Sequence, residues 1–158
     1  MIKVVEGDIL QASEDIIGHQ VNCRGVMGSG LAKQIRNKYP EAYDDYILFC
    51  KTVPSSELLG CHQFVFVPDC DTRRFKIVAN LFGQFNYGRQ KGVLYTDYKA
   101  LETCLSELKE YAKEDELSVA LPYKLGCGLA NGDWDNVVYP MIERIFTDYD
   151  VTLYKFGG

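Results

Sequence analysis

Short apolar segments alternate with amphipathic helical patterns along this chain, and this alternation restricts the fold more than any other feature. Strand-like segments cover residues 2–5, 16–21, 64–67, 75–82, 119–121 and 151–156. Helical spacing of apolar residues follows the second, fourth and fifth of these segments. A polar, turn-like stretch at 68–74 separates the third and fourth strands, which are therefore expected to pair as a hairpin. The pattern indicates an α/β fold in which a sheet is buried between helix layers.

Two of the helical patterns show further features of a helix. The pattern at 96–113 is the clearest, because its apolar residues keep a spacing of three and four throughout. Asp133 is a plausible N-cap for the last helix. Pro140 lies inside that helix and is expected to kink it, because proline lacks a backbone N–H.

Length and composition limit the class of protein. The 158 residues suffice for one domain with a full hydrophobic core, and a single domain at 1–158 is predicted. No segment approaches the roughly 20 apolar residues of a membrane helix, and the first residues do not resemble a signal peptide. A cytoplasmic protein without membrane partners is therefore expected. The net charge of −5 makes binding of free nucleic acid unexpected, because such binders present a basic face. The oligomeric state is left open.

The six cysteines and two histidines are scattered along the chain, without the spacing that binds a metal ion. They include no CxxC pair. No metal and no cofactor is therefore predicted. Most of the thiols are expected to be reduced and either buried or half-buried.

A glycine-rich loop at 22–30 follows the second strand and runs directly into a helical pattern. Gly25, Gly28 and Gly30 have no Cβ atom, so the backbone can approach a ligand closely. Unpaired N–H groups and the positive end of the helix dipole favour an anion at this point. A tight turn needed only for packing would explain the glycines equally well. The loop matches neither the P-loop nor the dinucleotide-binding fingerprint.

A second loop of the same character, Gly126-Cys127-Gly128, follows the fifth strand. In a parallel sheet both loops lie at the edge formed by the carboxyl ends of the strands, where ligands bind. Two sets of backbone N–H donors favour a ligand with two phosphates, which an acidic protein holds through its backbone. Cys127 can in principle supply a thiol nucleophile. A small residue between glycines is the better explanation, since no histidine is near it in sequence.

Two polar residues at the same edge are candidate ligand-binding residues. Asp8 can accept a hydrogen bond from an exocyclic amino group such as that of adenine. A role in the turn is the default for an aspartate in this position. Asn22 can bind a ribose hydroxyl group or, alternatively, the backbone of its own loop.

The order and spacing of three segments together resemble the macrodomain family over essentially the whole chain. These segments are Glu6-Gly7-Asp8-Ile9, the run HQVNCRGVMGSGLA at 19–32, and 125–129 followed by Trp134. The run VNCRGVMGSG is most similar to the branch with the terminal ADP-ribose protein glycohydrolase and the yeast-type ADP-ribose-1″-phosphate phosphatase. The resemblance implies three layers, α/β/α, around a mostly parallel mixed six-stranded sheet. It also implies a cleft that binds ADP-ribose or an ADP-ribosylated macromolecule.

The resemblance further implies roles for individual residues. Asp8 is expected to bind the adenine amino group, Ile9 to supply a backbone contact beside it, and Asn22 to lie at the distal ribose. The residues expected in the two ligand loops are Gly25, Val26, Gly28, Ser29, Gly30 and Leu31, and Gly126, Cys127, Gly128 and Leu129. An aromatic residue, Tyr154 or Phe156, is expected to line the adenine site.

Two departures from the glycohydrolase pattern leave catalysis open. Ala130 replaces the catalytic aspartate that follows Gly-Cys-Gly-Leu, and Gly83 and Gln84 stand near the position of the reactive lysine. Asp133 is the remaining candidate for a general base, with Asn22 positioning a water molecule, although a capping role also explains Asp133. The alternatives are a hydrolase acting on ADP-ribosyl or 1″-phosphate bonds, a non-catalytic reader of ADP-ribose, and an interaction protein with a vestigial cleft.

Overall fold

The computed structural model describes residues 1–69 and 74–156. Within these ranges the strands are β1 (Ile2–Glu6), β2 (Ile16–Asn22), β3 (His62–Asp69), β4 (Arg74–Gln84), β5 (Val119–Pro122) and β6 (Val151–Lys155). The helices are α1 (Gly30–Lys38), α2 (Pro40–Thr52), α3 (Ser55–Leu58), α4 (Tyr98–Glu114) and α5 (Tyr139–Ile145). A 3-10 turn, Ile9–Gln11, follows β1, and a π-helical turn, Trp134–Val138, precedes α5. None of the described helices is long and apolar enough to cross a membrane.

The six strands form one sheet in the order β1-β6-β5-β2-β4-β3. All neighbouring pairs are parallel except β3 and β4, which are antiparallel. The predicted mostly parallel mixed sheet and the predicted hairpin are therefore confirmed. The expected turn at 68–74 is too long, because Asp69 belongs to β3 and pairs with Arg74 of β4. Its middle, 70–73, lies outside the described residues.

Neighbouring residues of each strand face different helix layers, which produces the three-layer arrangement. Ile16 packs in one hydrophobic cluster with Leu105 of α4, while Ile17 packs in another with Ile35 of α1 and Ala42 of α2. Successive side chains of a strand point to opposite faces, so a strand that is apolar at every position must be covered on both sides. This is why the central strands lack a polar alternation.

Most element boundaries agree with the sequence patterns, with three corrections. β4 continues to Gln84, so the loop expected at 83–92 begins later, and β6 ends at Lys155, which leaves Phe156 outside the strand. The short helix α3 was not predicted, because four residues with one buried side chain, Leu58, carry no periodic signal.

Where Pro140 was expected to kink the last helix, the structure has a π-helical turn directly before it. The N–H groups of Val138 and Tyr139 donate to the carbonyl groups of Asp133 and Trp134, five residues earlier. Pro140 then falls near the start of α5, where its missing N–H needs no helical partner.

Candidate functional site

The two glycine loops and Asp8 lie at one edge of the sheet, at the carboxyl ends of β2, β5 and β1. β2 and β5 are direct neighbours, with Ile16 opposite Val119, so the two glycine loops leave adjacent strands. β1 is separated from β5 by β6 alone. The expectation that these three segments share an edge is therefore correct.

The first glycine loop combines left-handed backbone with an uncapped helix start. Gly25 and Gly30 have φ angles of +78° and +57°, a region that favours glycine. Ser29 occupies the N-cap position of α1 but makes no capping hydrogen bond. Its Oγ accepts instead from the guanidinium group of Arg89 at 2.8 Å. The N–H groups at the start of α1 therefore remain available to an anion.

Asn22 shapes this loop through hydrogen bonds to its backbone. The side chain is 7% exposed. Its Oδ1 accepts from the N–H groups of Arg24 (3.0 Å) and Val26 (3.3 Å), and its Nδ2 donates to the carbonyl group of Val26 at 2.8 Å. The alternative role in the loop backbone is thus observed. The predicted ribose contact would rest on the remaining amide hydrogen.

Tyr46 supports the same loop and was missed as a site residue. Its ring is fully buried, and its hydroxyl group donates to the backbone carbonyl of Asn22 at 2.7 Å and accepts from the N–H of Val26 at 3.0 Å. Burial raises the pKa of Tyr46, so the hydroxyl group stays protonated. In sequence, Tyr46 is one of several apolar-face residues of α2, and only the tertiary structure distinguishes it.

The second glycine loop is held open by left-handed backbone at Gly126, with φ +73°, and at Lys124 and Asn131, with φ +67° and +63°. The N–H groups of Gly128 and Leu129 make no hydrogen bond with any described residue. They are the donors that the sequence assigned to a diphosphate. Both residues are exposed, so an incoming anion can reach them.

The thiol of Cys127 is unsuited to nucleophilic attack. Burial raises its pKa to about 12, with a further contribution from the charge of Asp133. Its Sγ donates a weak hydrogen bond to the carbonyl group of Leu125 at 3.3 Å. The thiol is therefore protonated at neutral pH, in agreement with its interpretation as a small residue between glycines.

A glutamine on β2 links the second loop to the end of β4. Nε2 of Gln20 donates to Oε1 of Gln84 at 2.8 Å and to Oγ1 of Thr96 at 2.9 Å. Thr96 in turn donates to the carbonyl group of Gly126 at 2.6 Å. Oε1 of Gln20 is buried and has no partner among the described residues. Neither Gln20 nor Thr96 was singled out from the sequence.

The side chain of Gln20 occupies the space next to two glycines. A Cβ atom at Gly83 would stand 2.5 Å from Oε1 of Gln20, and one at Gly126 would stand 3.0 Å from it. A lysine at position 83 would therefore displace this side chain. Ala130, at the position of the motif aspartate, is buried, and its carbonyl group accepts from the N–H of Tyr95 at 2.9 Å.

Asp8 is partly committed to its own turn. Its Oδ1 accepts from the N–H of Leu10 at 2.9 Å, which caps the 3-10 turn. Oδ2 and the N–H of Ile9 make no hydrogen bond with a described residue. One carboxylate oxygen and one backbone donor therefore remain side by side for a ligand.

The two candidate aromatic residues differ in their surroundings. The Tyr154 ring lies beside Gly7, since a Cβ atom at Gly7 would stand 3.7 Å from Cδ2 of Tyr154. The Tyr154 hydroxyl group donates to Oε1 of Glu14 at 2.5 Å. Burial raises the pKa of Tyr154 to about 12. Phe156 directly follows β6 and is 71% exposed. The N–H of Gly7 donates to the carbonyl group of Lys155, so the ends of β1 and β6 lie side by side next to Asp8.

Asp133 has the geometry of a helix cap. Its Oδ1 accepts from the backbone N–H of Asn136 and its Oδ2 from the side-chain amide of Asn136, both at 3.1 Å. The predicted N-cap is confirmed. Each carboxylate oxygen therefore already accepts one hydrogen bond and keeps a further lone pair for a water molecule.

Residues 85–95, here called the bridge segment, connect the two glycine loops. Near the first loop, the carbonyl group of Phe85 accepts from the N–H of Cys23 at 3.0 Å, and Arg89 contacts Ser29. Near the second, Nδ2 of Asn131 donates to the carbonyl groups of Gln90 (3.0 Å) and Val93 (2.7 Å). The segment thus spans the space between the loops. Across the described residues, no three His, Cys, Asp or Glu side chains are grouped so as to hold a metal ion.

The sequence matches the family model described as Macro domain over residues 19–141. The ADP-ribose 1″-phosphate phosphatase of Scheffersomyces stipitis is 29% identical, and the alignment covers 96% of both chains. The DNA ADP-ribosyl glycohydrolase of Mycobacterium tuberculosis is 28% identical over 100% of this chain, which spans only 43% of that protein. The solved structure of Thermosipho africanus DarTG in complex with ADP-ribose has a TM-score of 0.79 and 25% identity, covering 98% of this chain and 41% of that one.

The range matched by the family model contains both glycine loops and the bridge segment. Asp8 and Tyr154 lie outside it. The match therefore bears most directly on the part of the cleft between β2 and β5.

Proposed function

The chain belongs to the macro domain family, and on that basis we propose that it binds ADP-ribose between its two glycine loops. One observation carries the proposal: two loops with unpaired backbone N–H groups leave adjacent strands at the same edge of the sheet. Backbone donors and a helix start suit a diphosphate, and they do so in a protein whose net charge is negative. The complex of the related DarTG with ADP-ribose supports the same ligand.

In this proposal the adenine base lies at the β1 end of the cleft. Oδ2 of Asp8 accepts from the exocyclic amino group, and the N–H of Ile9 donates to a ring nitrogen. The exposed ring of Phe156 is the better platform for the base, since Tyr154 is partly buried. The diphosphate then lies against Gly28 to Leu31 and Gly128 to Leu129, with the distal ribose towards Asn22.

Calorimetry with ADP-ribose tests the proposal. A dissociation constant of roughly micromolar or below is expected, corresponding to about 8 kcal/mol. Asp8→Ala should weaken ADP-ribose by more than it weakens ribose 5-phosphate, because the carboxylate serves only the base. A protein that takes up no ADP-ribose at millimolar concentration does not have the proposed function.

Hydrolysis is the second candidate function, favoured by the enzymatic names of relatives that align along the whole chain. Asp133 would act as the base and Asn22 would position the water or the distal ribose. The alanine at position 130, where the motif has an aspartate, counts against rapid turnover. Incubation with ADP-ribose 1″-phosphate, with an ADP-ribosylated protein and with an ADP-ribosylated oligonucleotide distinguishes an enzyme from a reader, since a reader releases no product from any of them.

The same proposal treats residues 1–158 as one macrodomain that acts in the cytoplasm and does not bind unmodified nucleic acid. Two features support it. The cysteines within the described residues are free thiols, as expected in a reducing compartment. The acidic net charge disfavours a long polyanion that has no specific attachment point.

A further inference from the structure

The strand β3 forms one edge of the sheet, and its side away from β4, here called the β3 edge, carries unpaired backbone groups. In an antiparallel pair, hydrogen-bonded residues alternate with residues whose N–H and C=O groups point away from the partner strand. The N–H of Phe82 donates to the carbonyl group of Cys61 at 3.0 Å, so the odd-numbered residues of β3 face β4. Pro68 agrees with this alternation, because a strand proline needs its nitrogen on the open side. The N–H and C=O groups of Phe64 and Phe66 therefore point outward.

The β3 edge also exposes aromatic rings, on the face of the sheet that α4 covers only in part. Phe64 stacks on Tyr111 of α4, with ring centres 4.1 Å apart. Further along β3 the side chain of Phe66 is 58% exposed, and Phe75 on β4 is 74% exposed. The centres of these two rings are 6.4 Å apart. An apolar platform thus lies beside the unpaired backbone groups.

The two helices next to the β3 edge carry acidic residues beside it. On α4, Oε2 of Glu107 lies 2.6 Å from Nδ1 of His62, and the exposed Glu114 follows two helical turns later on the same side of the helix. On α2, the carbonyl group of Asp45 accepts from Nε2 of Gln63 at 3.0 Å, which places this exposed aspartate next to β3. The β3 edge therefore lies between two negatively charged margins.

We propose that the β3 edge binds an extended, basic segment of a partner protein, which adds a seventh strand to the six-stranded sheet. The outward N–H and C=O groups of Phe64 and Phe66 pair with the backbone of this segment. Its apolar side chains pack on Phe66 and Phe75, and its lysine or arginine side chains face Asp45 and Glu114. Phe75 lies at the start of β4, whereas the ADP-ribose cleft lies at the carboxyl ends of the strands. The partner surface is therefore separate from the proposed ligand site.

A second copy of this chain complements the β3 edge less well than a basic segment does. Antiparallel pairing of two β3 strands about a two-fold axis brings α2 beside its equivalent and α4 beside its equivalent. Asp45 and Glu114 of one copy would then lie near the same carboxylates of the other, and like charges across an interface repel. A segment rich in lysine or arginine complements both margins instead.

The probe is a fluorescently labelled peptide of about ten residues in which valine and lysine alternate. One control peptide replaces lysine with glutamate, and a second keeps the lysines but has proline in place of the central valines, so that it cannot pair as a strand. By fluorescence anisotropy, the wild-type chain should bind the probe at least about tenfold more tightly than either control. The probe should also slow amide hydrogen exchange at Phe64 and Phe66, and saturating ADP-ribose should leave its affinity unchanged.

Two variants test the two kinds of contact. Phe66→Thr keeps a residue that favours strands but removes the ring, and it should weaken the probe about 3- to 20-fold. Asp45→Asn/Glu114→Gln should weaken it about 3- to 10-fold and reduce the dependence of the affinity on salt concentration.

The other edge strand, β1, provides a matched control. Val4 is 47% exposed there, and Val4→Thr should bind the probe as the wild type does. Asp44→Asn, at the exposed neighbour of Asp45, should likewise change the affinity less than about twofold. Equal binding of a control peptide, no binding of the probe, or an unchanged Phe66→Thr variant overturns the inference. A dimer of the wild type that Phe66→Thr abolishes overturns it too, because the edge then serves a second copy.

Discussion

His19 is a buried titratable residue that the proposed ligand site does not use. It is 1% exposed, its Nε2 lies 2.7 Å from Oδ1 of Asn80, and its Nδ1 has no partner among the described residues. Since Nδ2 of Asn80 already donates to the carbonyl group of Ala42, Oδ1 is the acceptor and Nε2 carries the proton. Desolvation lowers the pKa of His19 to about 4.

Acid should destabilise the fold through this histidine. The folded-state pKa lies below the unfolded value of 6.5, so the unfolded chain binds more protons between these two values. The contribution is fully present above about pH 6.5 and is lost as the pH falls towards 4, up to about 3 kcal/mol. Urea unfolding of the wild type and of His19→Gln across pH 7.5 to 4.5 measures it. If the free energy of unfolding changes equally with pH in the wild type and in the variant, His19 does not titrate in this way.

The two roles of Asp133 separate through one substitution. Asp133→Asn keeps an N-cap of similar quality, because asparagine caps helices well, but it cannot act as a general base. If the chain hydrolyses an ADP-ribosyl bond through Asp133, activity should fall about 10²- to 10⁴-fold while the melting temperature is retained. Activity and thermal unfolding are measured on the same sample. Unchanged hydrolysis would restrict Asp133 to capping.

At the scale of elements, the connection of β2 to the second glycine loop is the most consequential contact. This connection consists of two hydrogen bonds: Gln20 donates to Thr96, and Thr96 donates to the carbonyl group of Gly126. Gln20→Met preserves volume but removes the donor to Thr96 and Gln84. ADP-ribose affinity should fall about 5- to 50-fold, the cost of one or two hydrogen bonds that hold the loop. AMP, which reaches mainly the Asp8 end, should be affected less in a parallel titration.

A second glutamine provides the control for this experiment. Gln63 on β3 donates to the carbonyl group of Asp45 and accepts from Asn80, and neither hydrogen bond involves a glycine loop. Gln63→Met should therefore change the melting temperature without changing the ratio of the ADP-ribose and AMP affinities. If the ratio of ADP-ribose to AMP affinity is the same in the Gln20→Met and Gln63→Met variants, Gln20 contributes only to stability.

How much the sequence predicts depends on whether the signal is local. Strand patterns, the two glycine loops and the Asp133 cap are encoded within a few residues of where they act, and they were recognised. The contacts of Gln20 with Thr96 and of Tyr46 with Asn22 join residues far apart in sequence, and no pattern marks them. A disturbance of the last helix was expected at Pro140, but no sequence pattern marks the π-helical turn, whose Trp134 and Val138 are buried in the core.

At the scale of the whole molecule, cavity size does not identify the site. A cavity of about 490 Å³ lies at the opposite edge of the sheet, where Val119 begins β5 and Thr152 lies near the start of β6. Its lining includes Glu116 and Asp148, which would repel a diphosphate. Loop geometry, charge distribution and strand direction identify the other edge instead.

Ligand binding at the proposed site should stabilise the entire fold, since the cleft joins loops from β1, β2 and β5. At a concentration of ADP-ribose 100 times its dissociation constant, the gain is about 2.7 kcal/mol. For a chain of this size that raises the melting temperature by roughly 5–10 °C. Thermal scans with ADP-ribose and with ribose 5-phosphate at equal concentration provide the measurement. An equal shift with both ligands would exclude a contribution from the base.

The position of β6 between β1 and β5 has a consequence for biosynthesis. Asp8 is translated 143 residues before Val151, yet β1 joins the sheet only by pairing with β6. On the ribosome, the strands that bear the two glycine loops can assemble before β6 emerges, whereas the adenine end of the cleft cannot. A nascent chain arrested before Val151 should therefore be released without a complete binding site, however well its central strands have formed.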